Sequence, residues 1–565
     1  MTRPKAMTKR VVVASGYFNP LHYGHVSYLE KARDLGTSLI VIVNNDIQAA
    51  RRRASAGPHI PARERVKLVR SLQCVDAALE AIDDGESVAE TLRLLHPDVF
   101  ANGGGQKPNE QELKVCVQLG IQMVDGLGIQ LLSLTPYTQH YDWGKPRNES
   151  IIAALTGQQS PPHMLEDSFD ESKPFAELWM GDHPSGPARV VSPRSPEHRD
   201  AATVKRSTPL QDVIKRSPSL LGPSLSDSKQ LPFLLKVLSI HKALSIQAHP
   251  DKVLAGKLHR ERPDVYKDAN HKPEIAIALS DDFQALCGFR AVSEIVQMLP
   301  RVPELADLIG ATAVGALGAA VGDTAKEADA LRQAYSSMMH APDEEVCRQA
   351  RRLHERAKIA TGELACLQDA FQLVCKLYVQ YPDDVGIFSV FFMNHLRLNV
   401  GECLYMAQNV PHAYISGDIV ECMACSDNVV RGGLTPKFKD VEVLCSMLNY
   451  AGGPPATLKP TQIEDGIKLY ADSCIEEFQV THLHLPAGGR TCRIFSSEGP
   501  ALALNLSGFG SISSAGERQE IGAGKVLLLP PGSEPTFEAD SNMEIFVACC
   551  PPQYFQGLRR AKSCD

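Results

Sequence analysis

Residues 10–14 and 38–44 are short, nearly continuous apolar runs, the pattern of strands buried on both faces of a parallel sheet. Between them, residues 25–35 space their apolar positions at a helical period. Residues 86–95 and 110–119 predict further helices, and Val99-Phe100-Ala101 and Ile121-Gln122-Met123-Val124 predict short strands. This alternation predicts a doubly wound, Rossmann-like α/β domain over 1–131. From Ser133 the pattern changes. Pro and Ser cluster between 184 and 228, which predicts irregular surface chain with a few helical turns. Residues 291–381 are helical in pattern, most clearly at 343–358 and 362–379. Short strands resume at Gly386 and continue past Cys425, and residues 478–549 repeat that style with Gly and Pro turns, as in a jelly roll. The chain is therefore expected to be multidomain, with divisions at 1–131, 132–290 joined by 385–452, 291–384, and 453–565.

Composition narrows the class without naming a function. A chain of 565 residues holds roughly two to four domains. Its 44% hydrophobic and 22% charged residues are ordinary for a soluble globular protein. A formal charge of −8 gives no basic footprint for nucleic acid. No apolar run suits a bilayer, the Ala/Gly-rich stretch 310–322 being too short, and the polar, basic first ten residues contain no secretory core. Fifteen cysteines in that setting predict reduced thiols and a cytoplasmic location. Cys422 and Cys425 have C-x-x-C spacing, but on a strand they face opposite sides and have no second pair nearby. Adjacent Cys549 and Cys550 read as small buried hydrophobes.

The most informative chemistry is Gln247-Ala248-His249. Residues i and i+2 of a strand share a face, so Gln247 and His249 reach one ion together. Glu274, in His271-Lys272-Pro273-Glu274, and His412, in Val410-Pro411-His412-Ala413-Tyr414, complete an O/N shell suited to one Zn²⁺. Ser245 points to the same face. His482 and His484 mimic such a pair, but no further histidine follows them, and they read as structural.

From about Leu132 onward the chain resembles the type I mannose-6-phosphate isomerases (phosphomannose isomerases). The resemblance rests on Tyr141-Asp142-Trp143-Gly144-Lys145, Glu177-Leu178-Trp179-Met180-Gly181, the segments 231–239 and 426–437, and the metal segments, all in the family's order. It implies a cupin-type catalytic domain interrupted by a helical domain and followed by a second cupin-like domain. It also implies zinc-dependent interconversion of mannose 6-phosphate and fructose 6-phosphate, feeding GDP-mannose synthesis, with small sugar phosphates as partners; a monomer is compatible with it.

The same resemblance places Lys272, Glu421, Asp427, Arg431 and Lys437 in or beside the pocket. Arg431 suits stabilisation of an enediolate, because a guanidinium stays charged and forks to two oxygens. Ser245, Lys236 and Lys437 are candidates for the 6-phosphate, and Asp427 for a further substrate contact. Lys272 and Glu421 both remain open as the base. A sugar-phosphate-binding cupin without turnover is the non-enzyme alternative, against which the joint presence of Lys272, Glu421 and Arg431 speaks.

Upstream, residues 13–25 place His22 and His25 where a strand turns into a helix, offering helix N-terminal amides and two imidazoles to a nucleoside triphosphate. The passage resembles the H-x-G-H motif of cytidylyltransferase-like nucleotidyltransferases. Ile42-Val43-Asn44-Asn45-Asp46, Arg63-Glu64-Arg65 and Asn102-Gly103-Gly104 support it. The resemblance implies a CTP or ATP site at Gly16, Phe18, His22, His25 and Arg63, and hence a bifunctional alternative that adds nucleotidyl transfer to a phosphorylated sugar or polyol. The chain departs from that pattern at Asn19, at Gly105-Gln106, and after the last strand, where 126–132 lacks the Ser/Thr-rich segment.

Overall fold

A computed structural model describes residues 10–19, 21, 23–51, 60–103, 109–124, 127, 131–159, 173–191, 207–216, 218–222, 224–225, 227–359, 367–491, 498–514, 517–531, 533 and 535–562. The chain forms two compact units: Met1–Thr135 with Arg189–Gln230 and Leu483–Asp565, and Pro136–Ala188 with Leu231–His482. Among the described residues no helix is long and apolar enough to cross a membrane.

In the first unit, β1 (Val11–Gly16), β2 (Ser38–Val43), β3 (Ala77–Glu80), β4 (Val99–Ala101) and β5 (Gln122–Val124) form a sheet in the order β3-β2-β1-β4-β5. Every pair is parallel. The apolar runs follow from this arrangement, since both faces carry core. Val12, Ala14, Leu39 and Val41 pack on one side, and Val13, Ile42 and Phe100 on the other. The strand order reverses between β1 and β4, so the crevice beyond their carboxyl ends is the natural ligand position of such a sheet. The same unit holds antiparallel strands. Thr208–Pro209, Arg189–Val190, Leu132–Thr135, Val526–Leu529, Ala501–Ser507 and Met543–Cys549 pair in that order.

In the second unit, β6 (Glu177–Met180), β7 (Phe233–Ile240), β10 (His412–Ala424) and β9 (Glu274–Ala278) are consecutive antiparallel neighbours. The 13-residue β10 belongs to two pairings. Its second half lies between β7 and β9. Its first half pairs with Phe283–Phe289 and, through Gln247↔His412, with β8 (Ile246–Ala248), which also pairs with β11 (Val430–Gly433). Between the halves Gln284 pairs with Ser416 while Ala285 pairs with Tyr414, leaving Ile415 as one extra residue. Such a bulge bends a strand and inverts its in/out alternation from that point. Both halves therefore aim functional side chains into one concave face.

Helices from Val292–Met298 to Gln368–Gln380 pack over a single apolar cluster that includes Leu331, Tyr335, Leu353, Phe371 and Leu377. Where strands were expected to resume at Gly386, the chain instead forms a 3₁₀ helix, Val385–Phe391, and strand resumes at Met393–Leu398. The physical reason is burial on every side. All seven residues of Val385–Phe391 are buried, and a short, almost wholly apolar run interrupted only by Ser389 has no periodicity to separate strand from helix. Asp384 decides the outcome by accepting from Gly386 N–H at 2.7 Å and capping the first turn.

Candidate metal centre and active site

β8, the residue that follows it, β9 and β10 bring His249, Glu274 and His412 to one place, with Gln247 beside His412 in the ladder. Gln247 lies directly opposite His412 in the ladder, and Arg431 lies opposite Gln247 on the other side, so the three form a cross-strand row on one face. His249 Nε2 is 3.3 Å and His412 Nε2 3.4 Å from Glu274 Oε2. All three residues are buried, and their candidate ligand atoms lie within 4.8 Å of one another. These same three atoms have no hydrogen-bond partner among the described residues. Converging buried lone pairs without a donor are costly, and a cation resolves them.

The other side of each imidazole is fixed. His249 Nδ1 is 2.7 Å from Asn428 O and His412 Nδ1 3.0 Å from Val410 O, contacts that place the proton on Nδ1 and leave Nε2 its lone pair. Burial brings the His249 pKa down to about 4, so it is a neutral ligand near neutrality. Glu274 is held well below the usual carboxylate range. Burial opposes this, but Lys272, at 2.8 Å from Oε1, and His249 outweigh it.

Glu274 and Gln247 form part of the wall of a cavity of about 670 Å³, and His249 and His412 lie buried directly behind Glu274. Ser245, Gln247, Lys236, Lys272, Glu421, Asp427, Arg431 and Lys437 all line it. Lys236 is buried, 3.0 Å from Glu421 Oε2 and 3.5 Å from Glu177 Oε2, and its ammonium sits over the Trp179 ring. Burial disfavours this charge, but Glu421, Glu177 and Glu274 more than compensate and raise its pKa. Glu421 accepts from Tyr414 Oη at 2.8 Å, and burial pushes its carboxyl up against the pull of Lys236. Asp427 is exposed at the mouth, 3.5 Å from His183 Nε2, and Lys437 is also exposed. Arg431, Lys437 and Lys242 have no carboxylate partner among the described residues, which suits an anionic ligand. Burial lowers the Arg431 pKa, yet a guanidinium remains charged near neutrality.

Sequence reasoning missed Glu177, Trp179, His183, Lys242, Asp384 and Tyr414 as lining residues. Tyr414 had a signal two residues from His412. Its pairing with Glu421, seven residues away, depends on the bulge.

In the first unit, Gly16, Phe18 and His25 come together at the carboxyl end of β1. A Cβ at Gly16 would fall 2.8 Å from the Phe18 ring, and that buried ring meets His25 edge-on at a centroid distance of 5.0 Å. Arg63 is exposed. The buried arginine of its helix is Arg65, donating to Tyr17 O, Asn44 O and Asp46 Oδ1 at 2.7–2.8 Å. His22, Gly105 and Gln106 lie outside the described residues. His484 pairs with Glu544 rather than with a second imidazole.

The imidazoles predict an acid-labile metal-free protein. His249 and His395 are both brought to about 4, chiefly by burial, and His183 and His354 are also lowered. His271 and His340 are raised and act in the opposite sense. For the lowered set, the unfolded chain takes up protons first as pH falls below about 6.5. The urea midpoint of chelator-treated protein is therefore expected to fall between pH 7 and pH 5. An unchanged or rising midpoint would contradict buried neutral imidazoles.

The cytidylyltransferase-like family model matches residues 13–125. The catalytic-domain model of type I phosphomannose isomerase matches 131–292, and the helical insertion domain of the same family matches 308–393. Mannose-6-phosphate isomerase 2 of Arabidopsis thaliana is 39% identical over 441 residues, 76% of this chain and 96% of its own length. Mannose-6-phosphate isomerase of Mus musculus is 39% identical over 433 residues, 74% of this chain and 99% of its own. Among solved structures, a mannose 6-phosphate isomerase bound with zinc and yttrium is 26% identical with a TM-score of 0.60, covering 74% of this chain and 99% of that one. Identity of this extent, over nearly the whole length of the relatives, shows that the chain belongs to the type I phosphomannose isomerase family.

Proposed function

We propose that the chain interconverts D-mannose 6-phosphate and D-fructose 6-phosphate, with one Zn²⁺ held by Gln247, His249, Glu274 and His412. The observation that carries this reading is the meeting of three orphaned ligand atoms at the wall of a cavity, through Glu274, where Arg431 is left without a carboxylate among the described residues. When bound, the ion supplies positive charge that favours the oxygen-centred charge of an enediol(ate). The chain's own groups supply the rest. Glu421 is the base that moves the proton between C1 and C2. Its carboxyl is shifted toward the range such a task needs, and a carboxylate bonded to Tyr414 and Lys236 keeps lone pairs for a third partner. Lys272, bonded to Glu274, orients that ligand and adds a cation. Arg431 receives the developing oxygen charge. Ser245 and Lys437 hold the phosphate, Lys236 sets the charge and position of Glu421, and Asp427 borders the entrance.

The first 131 residues contribute none of these groups. A CTP or ATP reading of that domain rests on its family match and on Gly16, Phe18 and His25 lying at the carboxyl end of β1, at the switch point. The relatives cover about three quarters of this chain at nearly their full length, so isomerisation requires no counterpart of that domain. In a coupled assay with mannose 6-phosphate, both the full chain and a fragment starting at Leu131 are expected to form fructose 6-phosphate. A soluble, zinc-loaded fragment without activity would make the halves inseparable. A full chain without activity would refute the isomerase reading.

A further inference from the structure

Asp384 lines the cavity, yet its carboxylate faces backbone. Oδ1 accepts from Gly386 N–H and from Leu434 N–H, each at 2.7 Å, and Oδ2 lies 3.4 Å from Thr435 N. One side chain thus ties the start of the 3₁₀ helix Val385–Phe391 to the segment that follows Arg431 and precedes Lys437. Two further features mark this junction as built. Leu434 is buried and adopts φ 51, a left-handed conformation that side chains other than glycine rarely hold without external fixing. Gly386 and Gly433 also touch backbone to backbone, since a Cβ on Gly433 would stand 2.6 Å from Gly386 Cα.

The neighbouring residue anchors the clasp from the opposite side. Asp383, at φ 63, accepts a two-pronged bond from Arg351, with Nε to Oδ1 at 3.1 Å and Nη2 to Oδ2 at 2.6 Å, and a third bond from Tyr378 Oη. Arg351 and Tyr378 belong to the helices Asp343–Lys358 and Gln368–Gln380. A chain of fixed contacts therefore runs from the helical insertion through Asp383 and Asp384 to the backbone beside Arg431.

We propose that Asp384 is a positioning residue for Arg431, and that the helical insertion acts on the reaction by holding this clasp. The proposal rests on the isomerase reading of the same cavity. Misplacing a charged donor by about 1 Å is enough to cost roughly 100-fold in rate. Asp384→Ala in the zinc-loaded full chain is expected to lower kcat about that much, with zinc content unchanged and KM moved far less. Asp384→Asn keeps Oδ1 as an acceptor and should recover most of the loss. In an Arg431→Ala background, Asp384→Ala should add little, because the group it positions is gone. Amide hydrogen exchange supplies a readout independent of turnover: in Asp384→Ala, protection should fall selectively in the peptide spanning 430–437. Independent, multiplicative losses in the double variant, no rescue by Asn, or unchanged exchange in that peptide would each overturn the proposal. An inactive wild-type chain would instead refute the isomerase reading, while the exchange result still decides whether Asp384 holds the loop.

Discussion

Chelation of divalent ions is expected to abolish isomerisation by the full chain, and Zn²⁺ to restore it at about one ion per chain. The argument begins with two imidazoles whose Nδ1 atoms are committed to the carbonyls of Asn428 and Val410. Their Nε2 lone pairs must then face Glu274 Oε2, and no donor among the described residues reaches any of the three. Burial makes this arrangement unfavourable without a cation, and it makes a cation bind strongly because the ligands are already oriented, with His249 and Glu274 held deprotonated. Metal should therefore also stabilise the fold, by roughly 4 kcal/mol at a free-ion level about a thousandfold above Kd. Metal content by mass spectrometry, activity and thermal midpoint should fall together on chelation and return together on zinc addition. Full activity in metal-free protein would refute the assignment.

How far the sequence revealed this site depends on how local each signal is. Gln247 and His249 are two residues apart, on and just past the strand Ile246–Ala248, so their shared face is close to what extended backbone geometry alone dictates. The parallel α/β sheet was legible for a similar reason, because residues 11–14 and 39–43 are apolar on both faces. The partnership of Tyr414 with Glu421 was not legible. Their spacing is odd, and only the extra residue at Ile415 turns them to the same side. The segment 385–391 misled for the opposite reason: it is buried all round and carries no periodicity, and the helix is set by Asp384. In Arg63-Glu64-Arg65 the motif offered two arginines that a helix sends to opposite faces, and the structure buries Arg65 while exposing Arg63. Glu177 joins the cavity through its pairing with Leu238, and Lys242 through a bend whose amide donates to Trp143 O, contacts distant in sequence that composition and spacing do not encode.

Arg431→Ala should give a large loss of turnover while leaving the metal ligands intact. The guanidinium stands in the row His412–Gln247–Arg431, next to the position of the ion, and no carboxylate among the described residues neutralises it. Burial already disfavours its charge, so the cost of holding a cation there is met during folding, before substrate arrives. A preorganised donor aimed at charge that develops only in the transition state is worth about 3 kcal/mol, or roughly 100- to 1,000-fold in kcat. The loss should appear in kcat more than in KM, because the ground-state sugar lacks the charge that Arg431 serves. Arg431→Lys should recover little, since a point-charge ammonium does not reproduce the two-pronged fork at the same reach. Zinc content and thermal midpoint should stay near wild type in both variants. A loss confined to KM would reassign Arg431 to phosphate binding, and an unchanged kcat/KM would remove it from the mechanism.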